Sequence, residues 1–325
     1  MDWKKIKLHL VNNLIWVIIV GLFLFFALLI PRGWLGLRNI EFILYVGSMI
    51  GFLVIGESLV LLSGNMDLSL AQNAGLSAMI VGYLSAAVFE GAPGWVWIMG
   101  VIIVGAILGS VNGFLIGKLR MNAFLATLGT FLAFNYATFL ISRGTVVGLP
   151  KALILPGSLS FSGFHMAILI FFAVAVLVHF LLRYTRFGAN VYSVGGDPEA
   201  SRKMGINIGN TYFWVFTLAG ALAGLSALIF IGYLGCVPST MADGMIFMAF
   251  AGAVMGGISL RGGRGGIIGA IGGVILFGII EAGLTMINID PALRGIFSGV
   301  VLIVAIMINR MRERIIDKLL MPPQG

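Results

Sequence analysis

Charge is what this sequence has least of: only 10% of its 325 residues are Asp, Glu, Lys or Arg, twelve acids against twenty bases. So few ionisable groups cannot clothe a soluble fold of this length in a solvated shell. Cysteine is scarcer still, and the lone Cys236 excludes an internal disulfide. His9, His165 and His179 are the three histidines, none with Cys, Asp or Glu at ligand spacing, so no metal site is expected. The Gly-rich "RGGRGG" at 261–266 lacks the Lys-Ser/Thr of a phosphate cradle, and "GISLRGG" at 257–263 has no strand before it to form a nucleophile elbow. These absences argue against an enzyme and against an ATP site on this chain.

What is present is apolar length. Hydrophobic residues make up 60% of the chain, and a helix needs roughly 20 of them in a row to cross ~30 Å of hydrocarbon with its backbone self-satisfied. Ten segments fit: about 10–30, 42–62, 69–89, 95–117, 122–141, 165–182, 211–233, 243–260, 266–287 and 292–309. The first follows Lys4, Lys5 and Lys7 as a signal peptide would. Its apolar run is too long and no small-residue cleavage site follows, so a retained helix is expected.

Basic residues set the orientation. With the N-terminus in the cytoplasm, fifteen of the twenty Lys and Arg fall on the cytoplasmic side, and Arg32, Arg38, Arg143, Lys151 and Arg294 fall outside. The net charge of +8 thus reports topology and not nucleic-acid binding. Residues 1–325 read as a single transmembrane domain of the all-α class, both termini cytoplasmic, with a cytoplasmic loop at 183–210. Five spans precede the outer loop at 142–164 and five follow it, so two related halves would lie inverted in the membrane.

Glycines recur at every fourth position in the fourth span (Gly105, Gly109, Gly113, Gly117), with Gly220 and Gly224 in the seventh and Gly265, Gly269 and Gly273 in the ninth. Such stripes let backbones approach closely, either within one subunit or between two. Glu57 and Glu281 stand inside spans, where an acid faces protein or water. Glu57 lies two turns before "SGNMDLS" at 63–69, in which Gly64 ends one helix, Asp67 or Asn65 can cap the next and Ser69 opens it. That is equally an ordinary turn and the way transporters build polar sites. Glu57, Asn65, Asp67, Asn112 and Thr127, polar side chains of neighbouring spans, are therefore expected on or near a solute route.

"GESLVLLSGNMDLSLAQNAGLSA" at 56–78, "NGFLIGKLRMNAFLATLGT" at 112–130, "VYSVGGDPEASRKMGI" at 191–206 and "MGGISLRGGRGGIIGAIGGVILFGIIEAGL" at 255–284 together carry a resemblance. The chain resembles the permease subunits of bacterial ABC importers for simple sugars, the ribose-type branch related to branched-chain amino-acid permeases. The resemblance spans nearly the whole chain. The family's Gly-Gly-Ile-Asp is here Gly64, Asn65, Met66, Asp67; one acid, Asp243, stands ahead of the eighth span's glycines; Glu281 and Ala282 replace an Asn-rich turn.

The resemblance implies a multi-pass protein of the bacterial inner membrane, in contact with lipid. Its partners would be a cytoplasmic ATPase dimer, a second permease subunit (the same or diverged) and a periplasmic or extracellular solute-binding protein. No cofactor is expected on this chain, and ATP and Mg would sit on the ATPase. "EASRKMGI" resembles the motif that presents a short coupling helix to that ATPase. The residue types there suit a short, well-capped helix, with Asp197 as N-cap, Pro198 and Glu199 in the first turn, Ala200 and Ser201 between, Arg202 and Lys203 at the negative end, and Gly205 as terminator. Since no Lys or Arg stands inside a span, a neutral sugar or similar polyol is the expected solute. A nucleoside or branched-chain amino-acid permease, an ion-coupled carrier using Glu57, Asp67 and Glu281, and a structural membrane subunit are the alternatives.

Overall fold

The structure, a computed structural model, describes residues 14–89, 91–161 and 163–290 and scattered positions from 293 to 311. It is mostly helical. Six helices are long and apolar enough to cross a membrane: α2 (Leu37–Leu62), α4 (Gly94–Gly117), α5 (Ala123–Ile141), α7 (Met166–Tyr184), α10 (Ile208–Leu234) and α12 (Ile267–Met286). Three further expected spans also fold as helices. These are α1 (Leu14–Leu29), α3 (Leu70–Ala87) and α11 (Met245–Met255). The expected eighth span therefore contracts to 11 residues, about 16 Å at ~1.5 Å per residue, too short to cross alone. Its end is set by Gly256 and Gly257 and by the loop that follows. The N-terminal lysines and all but scattered residues of the expected tenth span lie outside the described residues.

The connecting segments hold structure that apolar length does not announce. In the 142–164 loop, α6 (Lys151–Ser158) lies between two small antiparallel pairings. Strand β1 (Thr145–Val146) pairs with β4 (Val237–Pro238), tying this loop to the end of α10; β2 (Ser160–Phe161) pairs with β3 (Phe164–His165). In the 183–210 loop, where one short helix is expected, two form: α8 (Arg186–Gly196), capped by the Thr185 hydroxyl, and α9 (Pro198–Lys203).

Helix α2 is the axis of the bundle. Its apolar window is 83% buried against 28% for α4 and α5, so the latter two present most of their surface outward while α2 is enclosed by protein. Helix α3 is likewise enclosed, which is why Gln72, Asn73 and Ser77 are tolerated on it: Asn73 Nδ2 donates to the Gly105 carbonyl at 3.0 Å, and its Oδ1 receives the Ser77 hydroxyl at 3.1 Å.

The glycine stripe of α4 packs inside this subunit against α10, running antiparallel to it. A Cβ on Gly113 would stand 2.7 Å from the Phe213 carbonyl oxygen, and one on Gly224 2.6 Å from that of Val101; Gly105, Gly109 and Gly117 face the carbonyls of Gly220, Phe216 and Gly209 even more closely. Helices α11 and α12 repeat the device, with Gly252 against Gly273 and Gly256 against Gly269. Since lipid tails are as apolar as leucine, dispersion contact between bare backbones is what holds such pairs together.

Replacing Gly109 or Gly220 by Val forces the two backbones apart, beyond the ~1–3 kcal/mol usual for overpacking. Detergent-purified G109V and G220V are expected to aggregate on size-exclusion chromatography or to melt well below the wild type. Gly129, which has open space around it on α5, provides the control, and G129A should leave the melting temperature unchanged or raise it.

Candidate functional site

The turn between α2 and α3 is built by its own side chains. Gly64 takes φ +81°, its N–H donates to the Leu61 carbonyl and that of Asn65 to Val60, so the last carbonyls of α2 are satisfied in a Schellman closure. Asp67 then bends back: its Oδ1 accepts from the Ser69 N–H at 2.8 Å and from the Ser69 hydroxyl at 2.7 Å. Ser69 sits at the N-cap of α3, but its own side chain makes no cap bond because it is turned towards Asp67.

Around this turn the structure gathers a buried polar network. Asn112 Nδ2, from α4, donates to the Ser69 hydroxyl at 2.7 Å and lies 3.5 Å from both Asp67 carboxylate oxygens; its Oδ1 accepts the Thr130 hydroxyl of α5 at 2.8 Å. Glu57 of α2 completes it, its Oε1 accepting the Asp67 N–H at 3.4 Å while its Oε2 is buried with no hydrogen-bond partner. Glu57, Ser69 and Asn112 have no accessible surface and Asp67 has 2%. An acid buried in a membrane protein is costly unless protein groups meet it, and four elements converge here to house two.

Of the five residues expected near a solute route, Glu57, Asp67 and Asn112 are thus brought into one cluster. Thr127 is adjacent: its hydroxyl donates to the Ala123 carbonyl at 2.8 Å and lies 3.5 Å from that of Met66. Asn65 faces another way, donating to the Ser63 hydroxyl at 3.1 Å. Ser69 and Thr130 also belong to the cluster, although polarity within a span does not single them out. Thr130 stands three residues after Thr127 on α5, a spacing that places both on one face and is the signal that could have found it.

At the same end of the bundle lies a junction of glycines. Gly64, Gly195, Gly262 and Gly263 meet backbone to backbone, and the Gly263 N–H donates to the Leu62 carbonyl at 2.9 Å. Nearby, Tyr192 of α8 donates its hydroxyl to the Gly265 carbonyl at 3.0 Å. Burial pushes the Tyr192 phenol up, with the charge of Arg183 partly opposing it, which keeps the hydroxyl a donor. Helices α2, α8 and the loop before α12 are thereby joined at one point.

Helix α9 projects from that junction. The Asp197 carboxylate accepts from the Glu199 and Ala200 N–H groups at 2.9 and 3.0 Å, Pro198 opens the first turn, and Glu199 and the pair Arg202, Lys203 occupy the ends that the helix dipole favours. At the far end Gly205, with φ +82°, donates to the Arg202 carbonyl and Ile206 to that of Ser201, a second Schellman closure. Ser201 alone is buried; the other residues of α9 and the 67%-exposed Met204 are open to solvent.

Residues 39–306 match the family described as the permease component of branched-chain amino acid transport systems. The chain belongs to that family. As a permease it is a membrane-spanning transport subunit and not an enzyme. It is 32% identical over 299 residues to the autoinducer 2 import system permease protein of Yersinia pseudotuberculosis, covering 90% of this chain and 83% of that one. It is 29% identical over 318 residues to the galactose/methyl galactoside import permease protein of Haemophilus influenzae, covering 89% and 94% respectively. No solved structure matches.

Removing Asn112 leaves Asp67 Oδ2 without its hydrogen-bond donor and takes one partner each from the Ser69 hydroxyl, the Thr130 hydroxyl and Asp67 Oδ1, and a buried unsatisfied group costs ~1–3 kcal/mol. The permease carrying N112L should melt several degrees below the wild type in a fixed detergent, with T130V milder because only one bond is lost. Equal melting temperatures for N112L and wild type would mean that the network holds nothing together.

Proposed function

We propose that this permease imports a neutral, polyhydroxylated solute of sugar size, driven by ATP hydrolysis on a partner chain. The similarity over nine-tenths of the chain to import permeases named for autoinducer 2 and for galactose supports this reading over that of a branched-chain amino-acid carrier. The partners on this reading are an ATPase dimer, a second permease subunit and a solute-binding protein that delivers the cargo, all at the bacterial inner membrane. Ten spans in two inverted halves, with both termini cytoplasmic, draw support from the charge distribution and from the six long and two shorter apolar helices among the described residues.

Helix α9 is the proposed contact with the ATPase. What supports it is a helix capped at both ends and exposed on all but one residue, which follows directly on α8, whose Gly195 meets α2 and the loop before α12. A push on α9 would reach those elements through backbone contacts that leave no side chain to deform. The Glu57–Asp67–Asn112 network, with Thr127 and Asn65 beside it, is proposed to wall the route near that junction and hold α2, α3, α4 and α5 in register.

In the reconstituted importer, Glu199→Lys should abolish solute-stimulated ATP hydrolysis while the permease inserts and melts as before. Gly205→Val should do the same by straining the left-handed position, since no neighbouring atom stands in its way. Full stimulation in both variants would overturn the assignment of α9. Uptake with the cognate binding protein is expected to favour neutral sugars over leucine and over sugar phosphates, and the reverse order would overturn the solute class.

A further inference from the structure

A cavity of about 280 Å³ lies at the end of the bundle remote from α9, enclosed by the first half of α2, the last turns of α10, the first turns of α11 and the last turns of α12. Chain order fixes its place: α10 leaves the α9 end at Ile208 and reaches the cavity at Phe230 and Tyr233, and α2 runs from the cavity towards the Gly64 junction. Its walls are apolar and aromatic, with three polar side chains among them, Tyr233, Glu281 and Thr285. Among the described residues, no Lys or Arg lines it.

We infer that this cavity is the permease's own binding site for the transported solute, a neutral monosaccharide-sized polyol. The inference rests on the proposed function and adds a place and a set of residues to it. Glu281 and Thr285 are one turn apart on α12 and so share a face, and both reach the cavity. An acid inside a membrane helix marks a functional position by default, and here it meets the void. A carboxylate and a hydroxyl accept and donate to sugar hydroxyls, while the Phe230 and Tyr233 rings offer flat apolar faces to the C–H side of a pyranose.

Size and charge narrow the ligand further. The volume falls just under the ~300–1,000 Å³ of sites for drug-sized ligands, which suits one monosaccharide. The Glu281 carboxylate in the lining disfavours sugar phosphates, and among the described residues the cavity offers the carboxylate of a free amino acid no basic partner. Met245 is buried in the wall, and its flexible thioether lets the cavity adapt to related sugars.

Helix α2 joins this cavity to the rest of the machinery. From Ile50, at the cavity, to Glu57 is seven residues, about 10 Å along the helix at ~1.5 Å each, and the Leu62 carbonyl at the Gly263 junction follows. Solute at one end and the ATPase contact at the other thus act on one buried helix.

The test uses the full importer in proteoliposomes, with Cys236 replaced by Ser and a single cysteine placed at Met245 or at Thr285. The probe is a small water-soluble methanethiosulfonate, applied with and without a panel of neutral pentoses and hexoses, leucine or galactose 6-phosphate. At least one neutral sugar is expected to slow labelling at both positions fivefold or more, leucine and the phosphate are not, and Glu281→Gln should remove the protection. Met248→Trp, which fills the void, should cut uptake at least tenfold while the permease inserts and melts as the wild type does. Neutral-sugar uptake without any protection would overturn the cavity and leave the proposed function standing. Absence of neutral-sugar uptake in the cysteine-free parent would overturn the proposed function itself. Labelling only by a membrane-dissolved maleimide, with quenching by brominated lipid, would assign the cavity to an acyl chain and sink the inference.

Discussion

Backbone contact between α4 and α10 is the constraint on which the remaining architecture depends. At Gly105, Gly109, Gly113, Gly117, Gly209, Gly220 and Gly224 the two helices touch without side chains between them, and in a medium that offers no hydrophobic drive between helices this proximity adds backbone dispersion contact to the apolar packing around it. With α10 fixed against α4, its opposite face is free to hold α2, and the Ser226 hydroxyl donates across that contact to the Met49 carbonyl at 2.6 Å. The placement of Asn112 follows as well. It stands one residue before Gly113 on α4, at a level where the close approach of α10 fixes the helix and where the Asp67 turn can reach it.

Helix α2 turns that scaffold into a connected mechanism. Beside the cavity, Tyr45 stacks on His165 with ring centroids 3.8 Å apart and donates its hydroxyl to the Gly157 carbonyl at 2.6 Å. Glu41 accepts from the backbone N–H of His165 at 3.1 Å and pairs with its ring. These contacts tie the start of α2 to α6 and to the cap of α7. At its other end the same helix closes on Gly64 and meets α8 through Gly195. A rod anchored at both ends to loops and enclosed by protein along its length cannot bend easily; it can shift as a body, the small sliding of packed helices that serves as one route of conformational coupling.

Legibility differed between kinds of signal. Apolar length located α1 to α5, α7, α10 and α12 nearly to their ends, because a membrane span leaves no choice of pattern. The same rule overran at 243–260, where the residues are apolar enough but the paired glycines at 256–257 stop the helix. Caps were readable in part: Asp197, Gly205 and Gly64 do what their chemistry favours, whereas neither Asp67 nor Asn65 caps α3, because Asp67 is turned onto Ser69, which takes the N-cap position. The glycine stripes were readable as contacts, though their pairing between α4 and α10 needed the fold. Helix α8, the two-stranded pairings and the cavity were not legible. The β1–β4 pairing and the cavity are made by segments far apart in the chain, as when Val146 pairs with Val237, and local periodicity carries no record of such encounters; the β2–β3 pairing is local but only two residues long on each side.

The polar residues show why a sequence alone could name them and yet not sort them. Glu57, Asp67 and Asn112 stand out because polarity within a span demands a partner, and the structure supplies one for each except the second oxygen of Glu57. Glu281 stands out by the same rule, and it borders a void. The two acids thus meet one demand in different settings. An acid enclosed among hydrogen-bonded groups of several helices is held in place, since moving it would break several bonds at once. An acid at the edge of a cavity is held by fewer elements and keeps one side towards open space. Within one membrane protein, the depth of enclosure around an acid therefore distinguishes groups that hold helices together from groups that border a void, and that depth is a property of packing which composition and spacing do not encode.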